Sequence, residues 1–137
     1  MNDSVQATGA PPPVGHYPHA RRVGGLLFLS GIGPRDPASN AIPAGIEAQA
    51  HAVFANVRAV LAASGARWED LVDVTVYLTD MAGDFAAYNR VWAEHFPDAA
   101  RAPCRTTLGI TALPTPIAIE LKCIAEMKSP LPPAGEG

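Results

Sequence analysis

Two helical stripes, each flanked by strand patterns, constrain this chain more than any other feature. From Gly45 the apolar residues Ile46, Ala50, Val53, Phe54, Val57 and Leu61 recur at helical spacing until Ser64-Gly65 stops the run. Phe85, Tyr88, Trp92 and Phe96 mark a second helix. Ahead of the first helix, Ala20 to Val23, a Gly24-Gly25 turn and Leu26 to Ser30 read as a hairpin. Between the helices Val72, Val74, Val76 and Leu78 alternate with Asp73, Thr75, Tyr77 and Thr79, the period of a strand with one apolar face. Arg105 to Ile110 reads as a short strand. In the last strand Ile117, Ile119, Leu121, Cys123 and Ala125 alternate with Ala118, Glu120, Lys122 and Ile124, so Glu120 falls on the less apolar face. The order is β-β-α-β-α-β-β, an α+β chain.

Each helix bridges two strands across a crossover, so part of the sheet is expected to be parallel, with both helices stacked on one face. The other face needs a cover. A chain of 137 residues is one ordinary domain and holds no third layer. Burial against copies of itself, a homo-oligomer, is the economical solution. Prolines gather at both ends, Pro11 to Pro13 and Pro130, Pro132 and Pro133. Residues 1–13 and 129–137 therefore read as flexible tails around a single domain at 14–128.

Composition narrows the function classes. With 48% apolar and 17% charged residues, the chain has enough apolar surface to fold. A net charge of −3, with Lys122 and Lys128 as the only lysines, leaves no electrostatic footprint for nucleic acid. The longest apolar run, Gly24 to Leu29, is far short of a bilayer span, so no membrane partner is expected. Residues 1–13 show neither a basic n-region nor an apolar h-region, which makes the cytoplasm the default location. Cys104 and Cys123 lack CxxC spacing and read as free thiols.

Several residues invite chemistry that their context does not support. His16, His19, His51 and His95 suggest a metal, but His16-Tyr-Pro-His19 has a proline that disfavours a helix aligning the pair, and no acidic partner follows. Gly31-Ile32-Gly33 lacks the third glycine of a dinucleotide fingerprint, since Asp36 stands there. No GxSxG elbow surrounds Ser30. Cys104 lies beside Arg105 without a firm histidine partner and reads as structural.

Arg105 and Glu120 are more informative. An arginine beside a proline-containing connection presents a rigid fork to a carboxylate, and a strand carboxylate facing away from the main core holds a water. Together they suit hydrolysis of an organic acid. The competing reading is a salt bridge between adjacent strands.

Gly15-His16-Tyr17, Leu29-Ser30-Gly31, Leu78-Thr79-Asp80-Met81 with Asp84-Phe85, Pro103-Cys104-Arg105-Thr106-Thr107 and Ile119-Glu120-Leu121-Lys122-Cys123-Ile124-Ala125 occur in that order. Over residues 14–127 the chain thereby resembles the Rid (YjgF) family of reactive-intermediate imine deaminases. The resemblance implies a chorismate-mutase-like fold, assembled as a homotrimer with a site in each inter-subunit cleft. It also implies that Arg105 grips a substrate carboxylate, that Glu120 positions the hydrolytic water, and that Tyr17, Ser30 and Gly31 line the cleft.

The chain departs from the commonest pattern of that family. Ile32 follows Ser30-Gly31 in place of glutamine, Pro18-His19 follow Tyr17 in place of a small residue and glutamine, and Lys122 replaces a second glutamate. These changes resemble the 2-aminomuconate deaminase branch. That substrate is a dicarboxylate, and Arg35, in the loop after the hairpin, is the candidate second cation; a solvated loop arginine is the alternative. The implied reaction is tautomerisation of the enamine to a 2-imine, attack by water held at Glu120, and release of ammonia, with neither metal nor organic cofactor required. A generic 2-imino acid deaminase and a non-catalytic metabolite-binding relative are the other readings.

Overall fold

The computed structural model describes residues 3–128. The tail expected at residues 129–137 lies outside the described residues. The strands are β1 (Ser4–Val5), β2 (Ala20–Val23), β3 (Leu26–Leu29), β4 (Leu71–Leu78), β5 (Cys104–Gly109) and β6 (Ile119–Glu126); the helices are α1 (Ile46–Ser64) and α2 (Met81–His95). They form a six-stranded sheet in the order β1-β2-β3-β6-β4-β5. Among the described residues only β4 and β5 run parallel, joined through α2, and the other strand pairings are antiparallel. The α1 crossover carries the chain from β3 past a vacant position to β4, and β6 later fills that position.

Sequence periodicity accounts for the layers. In β4 and β6 alternate residues are buried, and the register sets Val74 opposite Cys123, Val76 opposite Leu121 and Leu78 opposite Ile119. These residues share one core with Val53, Phe54, Val57 and Leu61 of α1 and with Tyr88, Val91 and Trp92 of α2. Asp80 caps α2 by accepting the Gly83 amide at 3.1 Å, and Gly65 ends α1. Both helices lie on the same face, as their stripes require.

Among the described residues no helix covers the opposite face. Val23, Leu26 and Leu108 are exposed there, beside half-buried Phe28, Tyr77 and Ile124.

The N-terminal segment differs from its sequence reading as a flexible tail. Ser4 and Val5 pair with Arg21 and Ala20 at the sheet edge, and Val5, Ala7 and Ala10 are buried. Prolines at 11–13 pointed to a solvated tail, but the small apolar side chains ahead of them fit against the domain. Gly9, for instance, packs near Ala59 of α1, where an added Cβ would sit 3.6 Å from the Ala59 methyl.

Candidate functional site

At the end of the sheet where β3 leads into its following loop, a pocket is lined by Tyr17, His19, Ser30, Gly31, Ile32, Arg35 and Glu120, with Pro11 to Pro13 and Ile117 completing its wall. Thus Tyr17, Ser30, Gly31, Arg35 and Glu120, which the sequence proposes for one site, converge in one place. Glu120 reaches the pocket because its neighbours Ile119 and Leu121 point into the core, turning its carboxylate to the other face. Gly31 lies directly under that carboxylate: a Cβ there would stand 2.9 Å from Glu120 Cδ, closer than the two groups can pack. A side chain at position 31 would push the Glu120 carboxylate out of this place. Half-burial pushes the Glu120 pKa above its ordinary 4.5, because desolvation disfavours the charged form.

The rest of the pocket is held by hydrogen bonds. Ser30 Oγ donates to the Pro18 carbonyl at 2.7 Å. Ile32 exchanges two backbone bonds with Leu121, both 2.9 Å, which fixes the 31–33 segment beside β6. Arg35 donates to Asn40 Oδ1 and, at 2.9 Å, to the Pro12 carbonyl; among the described residues it forms no ion pair. Buried Asn56 of α1 secures the same loop, its Nδ2 donating to the Gly33 and Arg35 carbonyls at 2.8 Å each. An Asn inside the apolar stripe of α1 was the sequence signal for this brace.

Lys122, on the same sheet face as Glu120, donates to the Leu29 carbonyl and lies 5.7 Å from the centroid of the Phe28 ring. Desolvation lowers its pKa.

Arg105 is elsewhere. Its strand partner is Val74, so it projects to the helix-covered side, where its guanidinium lies 4.9 Å from the Trp92 ring and 5.2 Å from the Tyr88 ring. Asn89 Oδ1 accepts from it at 2.9 Å and sets its orientation. Arg105 and Glu120 therefore project from opposite faces of the sheet, on strands that β4 separates. The salt bridge between adjacent strands is ruled out, because the last two strands in sequence are not neighbours. Nor does a single copy of the chain bring this pair into one cleft.

The four histidines do not converge either. His16 is exposed, His19 is buried in the pocket wall, and His51 and His95 face one another at 3.0 Å between α1 and α2. Cys104 is exposed and Cys123 buried, its thiol pushed up to about 12 by desolvation.

A helix-backed, six-stranded mixed sheet with a carboxylate-bearing pocket places the chain among α+β domains. Within that class the assignment is specific. The model of the family described as Endoribonuclease L-PSP matches residues 7–127. A RutC family protein of Synechocystis sp. is 39% identical over 123 residues, covering 88% of this chain and 93% of the relative. Reactive Intermediate Deaminase A of Arabidopsis thaliana chloroplasts is 36% identical, covering 90% of this chain and 65% of that protein. Among solved structures, yeast Mmf1 superposes with a TM-score of 0.85 at 33% identity, covering 91% of this chain and 98% of that one. Escherichia coli TdcF with bound serine superposes equally, with a TM-score of 0.85 at 30% identity and the same coverage, 91% and 98%. The chain belongs to the Rid (YjgF) family. Among the described residues, no helix is long and apolar enough to cross a membrane.

Proposed function

We propose that the protein hydrolyses 2-imino acids to 2-oxo acids and ammonia, with the Glu120 pocket as the reaction site. The observation that carries this reading is the half-buried carboxylate lying against Gly31, at the end of a pocket whose other walls are largely apolar. A carboxylate of raised pKa in such a setting holds a water and takes its proton as the water attacks the imine carbon. Glu120 returns that proton to the nitrogen, and collapse of the resulting amino alcohol, with its hydroxyl proton passing to the nitrogen, expels ammonia and leaves the carbonyl. Water supplies every atom gained, and no electrons are transferred. A relative named as a reactive intermediate deaminase and a related structure with a bound amino acid support the same class of substrate.

Arg105 supplies the carboxylate grip in this reading. Because it projects from the face opposite Glu120, the complete site is formed between copies, with Glu120 from one and Arg105 from its neighbour. The open sheet face, with Val23, Leu26 and Leu108 exposed beside Phe28, Tyr77 and Ile124, supports such an assembly. A homotrimer is the proposed form, and light scattering at micromolar concentration tests it; a monomer would remove the shared site.

Generic 2-imino acids are the primary substrates proposed. The narrower choice, 2-aminomuconate, rests on Arg35, whose charge faces the pocket with only uncharged partners. The deciding experiment is ammonia release from 2-aminomuconate compared with imines generated from simple amino acids. Hydrolysis of the simple imines supports the generic reading, activity confined to 2-aminomuconate supports the narrower one, and no release from either overturns the enzymatic assignment in favour of metabolite binding.

A further inference from the structure

His19 is buried in the wall of the pocket. Both ring nitrogens are engaged with one short stretch of chain: the Ala7 amide donates to Nδ1 at 2.9 Å, and Nε2 lies 2.8 Å from the Pro11 carbonyl. Because Nδ1 accepts, the proton of the neutral ring is on Nε2, and Nε2 donates to Pro11. The main chain of the same residue adds two further bonds, donating to the Val5 carbonyl at 3.0 Å and accepting the Ser30 amide at 2.9 Å.

The stretch so held, residues 7 to 11, leads into the pocket wall Pro11 to Pro13. Prolines have no amide hydrogen, so this wall cannot be pinned to the domain by its own donors. It depends on acceptors, and the His19 ring engages Pro11 while Arg35 engages Pro12. We infer that His19 is a positioning residue of the substrate pocket: it clamps residues 7 to 11 so that the Pro12 carbonyl holds the Arg35 guanidinium at the pocket. This rests on the narrower reading above, in which Arg35 meets a distal carboxylate, and names the means by which the pocket keeps that second cation in place. The β1 pairing and the burial of Val5 lie upstream of the clamp, so loss of the ring loosens residues 7 to 13 without removing the whole segment from the sheet.

The test uses the full chain with His19→Ala, His19→Gln, Arg35→Ala and the double variant His19→Ala/Arg35→Ala. Glutamine retains one acceptor and one donor on a side chain of comparable reach. Three quantities are measured: kcat and KM for the imine of glutamate, calorimetric affinity for 2-oxoglutarate and for pyruvate, and hydrogen exchange at the Ala7 amide. His19→Ala is expected to raise KM and weaken 2-oxoglutarate about tenfold, the loss expected from one or two hydrogen bonds, with kcat within about twofold and faster exchange at Ala7. His19→Gln should recover most of the affinity. The double variant should bind 2-oxoglutarate no more than about threefold weaker than Arg35→Ala alone, because the clamp acts through that arginine.

Unchanged KM and affinity in a folded His19→Ala whose Ala7 amide exchanges freely would overturn the inference. So would a double variant whose losses multiply. A wild-type protein that releases no ammonia yet binds 2-oxoglutarate contradicts the enzymatic reading alone, and the affinities and exchange still decide the clamp. Failure of the wild type to bind either acid overturns both.

Discussion

The two faces of the sheet solve opposite problems with the same strands. On one, Val74, Val76, Leu121 and Cys123 are sealed under α1 and α2. On the other, Glu120, Lys122 and Ile124 alternate with them along β6 and remain half exposed beside Phe28 and Tyr77. A third layer within the chain would bury more apolar surface, at roughly 25 cal/mol per Å², but would leave no room on this face for a neighbouring copy. Stability thus resides under the helices, and the candidate chemistry lies on the face they leave open. Arg105 is the exception that ties the two together, projecting beside α2 at the edge strand β5.

The sharpest way to break that contrast is Glu120→Gln. Turnover should fall about 10²–10⁴-fold, the range for loss of a general base, while ligand affinity persists. Wild-type kcat should rise with pH through a midpoint above the ordinary 4.5, since burial raises the Glu120 pKa and the ionised form is the base. The variant should lack that limb. A carboxylate whose pKa is raised on folding favours the folded state at low pH and loses that contribution as pH rises through the raised value. Glutamine removes this neutral-pH cost, so the variant should melt no lower than wild type at pH 7.

Arg105→Lys comes next. It keeps the charge and much of the stem packing beside Trp92, but loses the paired, parallel bonds of a guanidinium to a carboxylate. At least about a tenfold loss of kcat/KM is expected, one charge-assisted hydrogen bond being worth roughly 1.5–3 kcal/mol. Near-normal kcat/KM in a folded protein would remove Arg105 from the site.

Arg35→Ala sharpens the substrate question on the open face. A dicarboxylate should lose one to two decades in kcat/KM, about 1.5–3 kcal/mol, and a monocarboxylate imine less than about 0.5 kcal/mol. Equal effects on both would return Arg35 to the status of a loop residue. The smallest expected effect is chemical: a thiol reagent at pH 8 should label exposed Cys104 in the folded protein and spare Cys123, whose buried thiol is pushed up to about 12. Rapid labelling of both would mean that the helix-covered face opens readily.

What the sequence revealed follows the same division. Helices and strands were legible because apolar residues repeat at 3.6 and 2.0, and the face bearing Glu120 followed from the alternation around it. Periodicity carries no information about strand order, however. The insertion of β6 between β3 and β4 separates Arg105 from Glu120, whereas adjacency in sequence suggested a neighbouring pair. The N-terminal segment is hidden from the sequence for a related reason. Its prolines indicated a tail, while the acceptor and donor that hold it belong to His19, a residue distant from Ala7 in sequence and carrying no local signature of that role.

In the proposed assembly one copy supplies Glu120 and another supplies Arg105. Mixing two variants, Arg105→Ala and Glu120→Gln, each inactive alone, tests it most directly. Co-expressed in equal amounts, they should form mixed assemblies in which a site is intact whenever a chain with Glu120 meets a neighbour with Arg105. Random assembly around a closed ring then restores about a quarter of wild-type activity. Mixed assemblies, verified by differential tags, that stay as inactive as either variant alone would contradict the shared site.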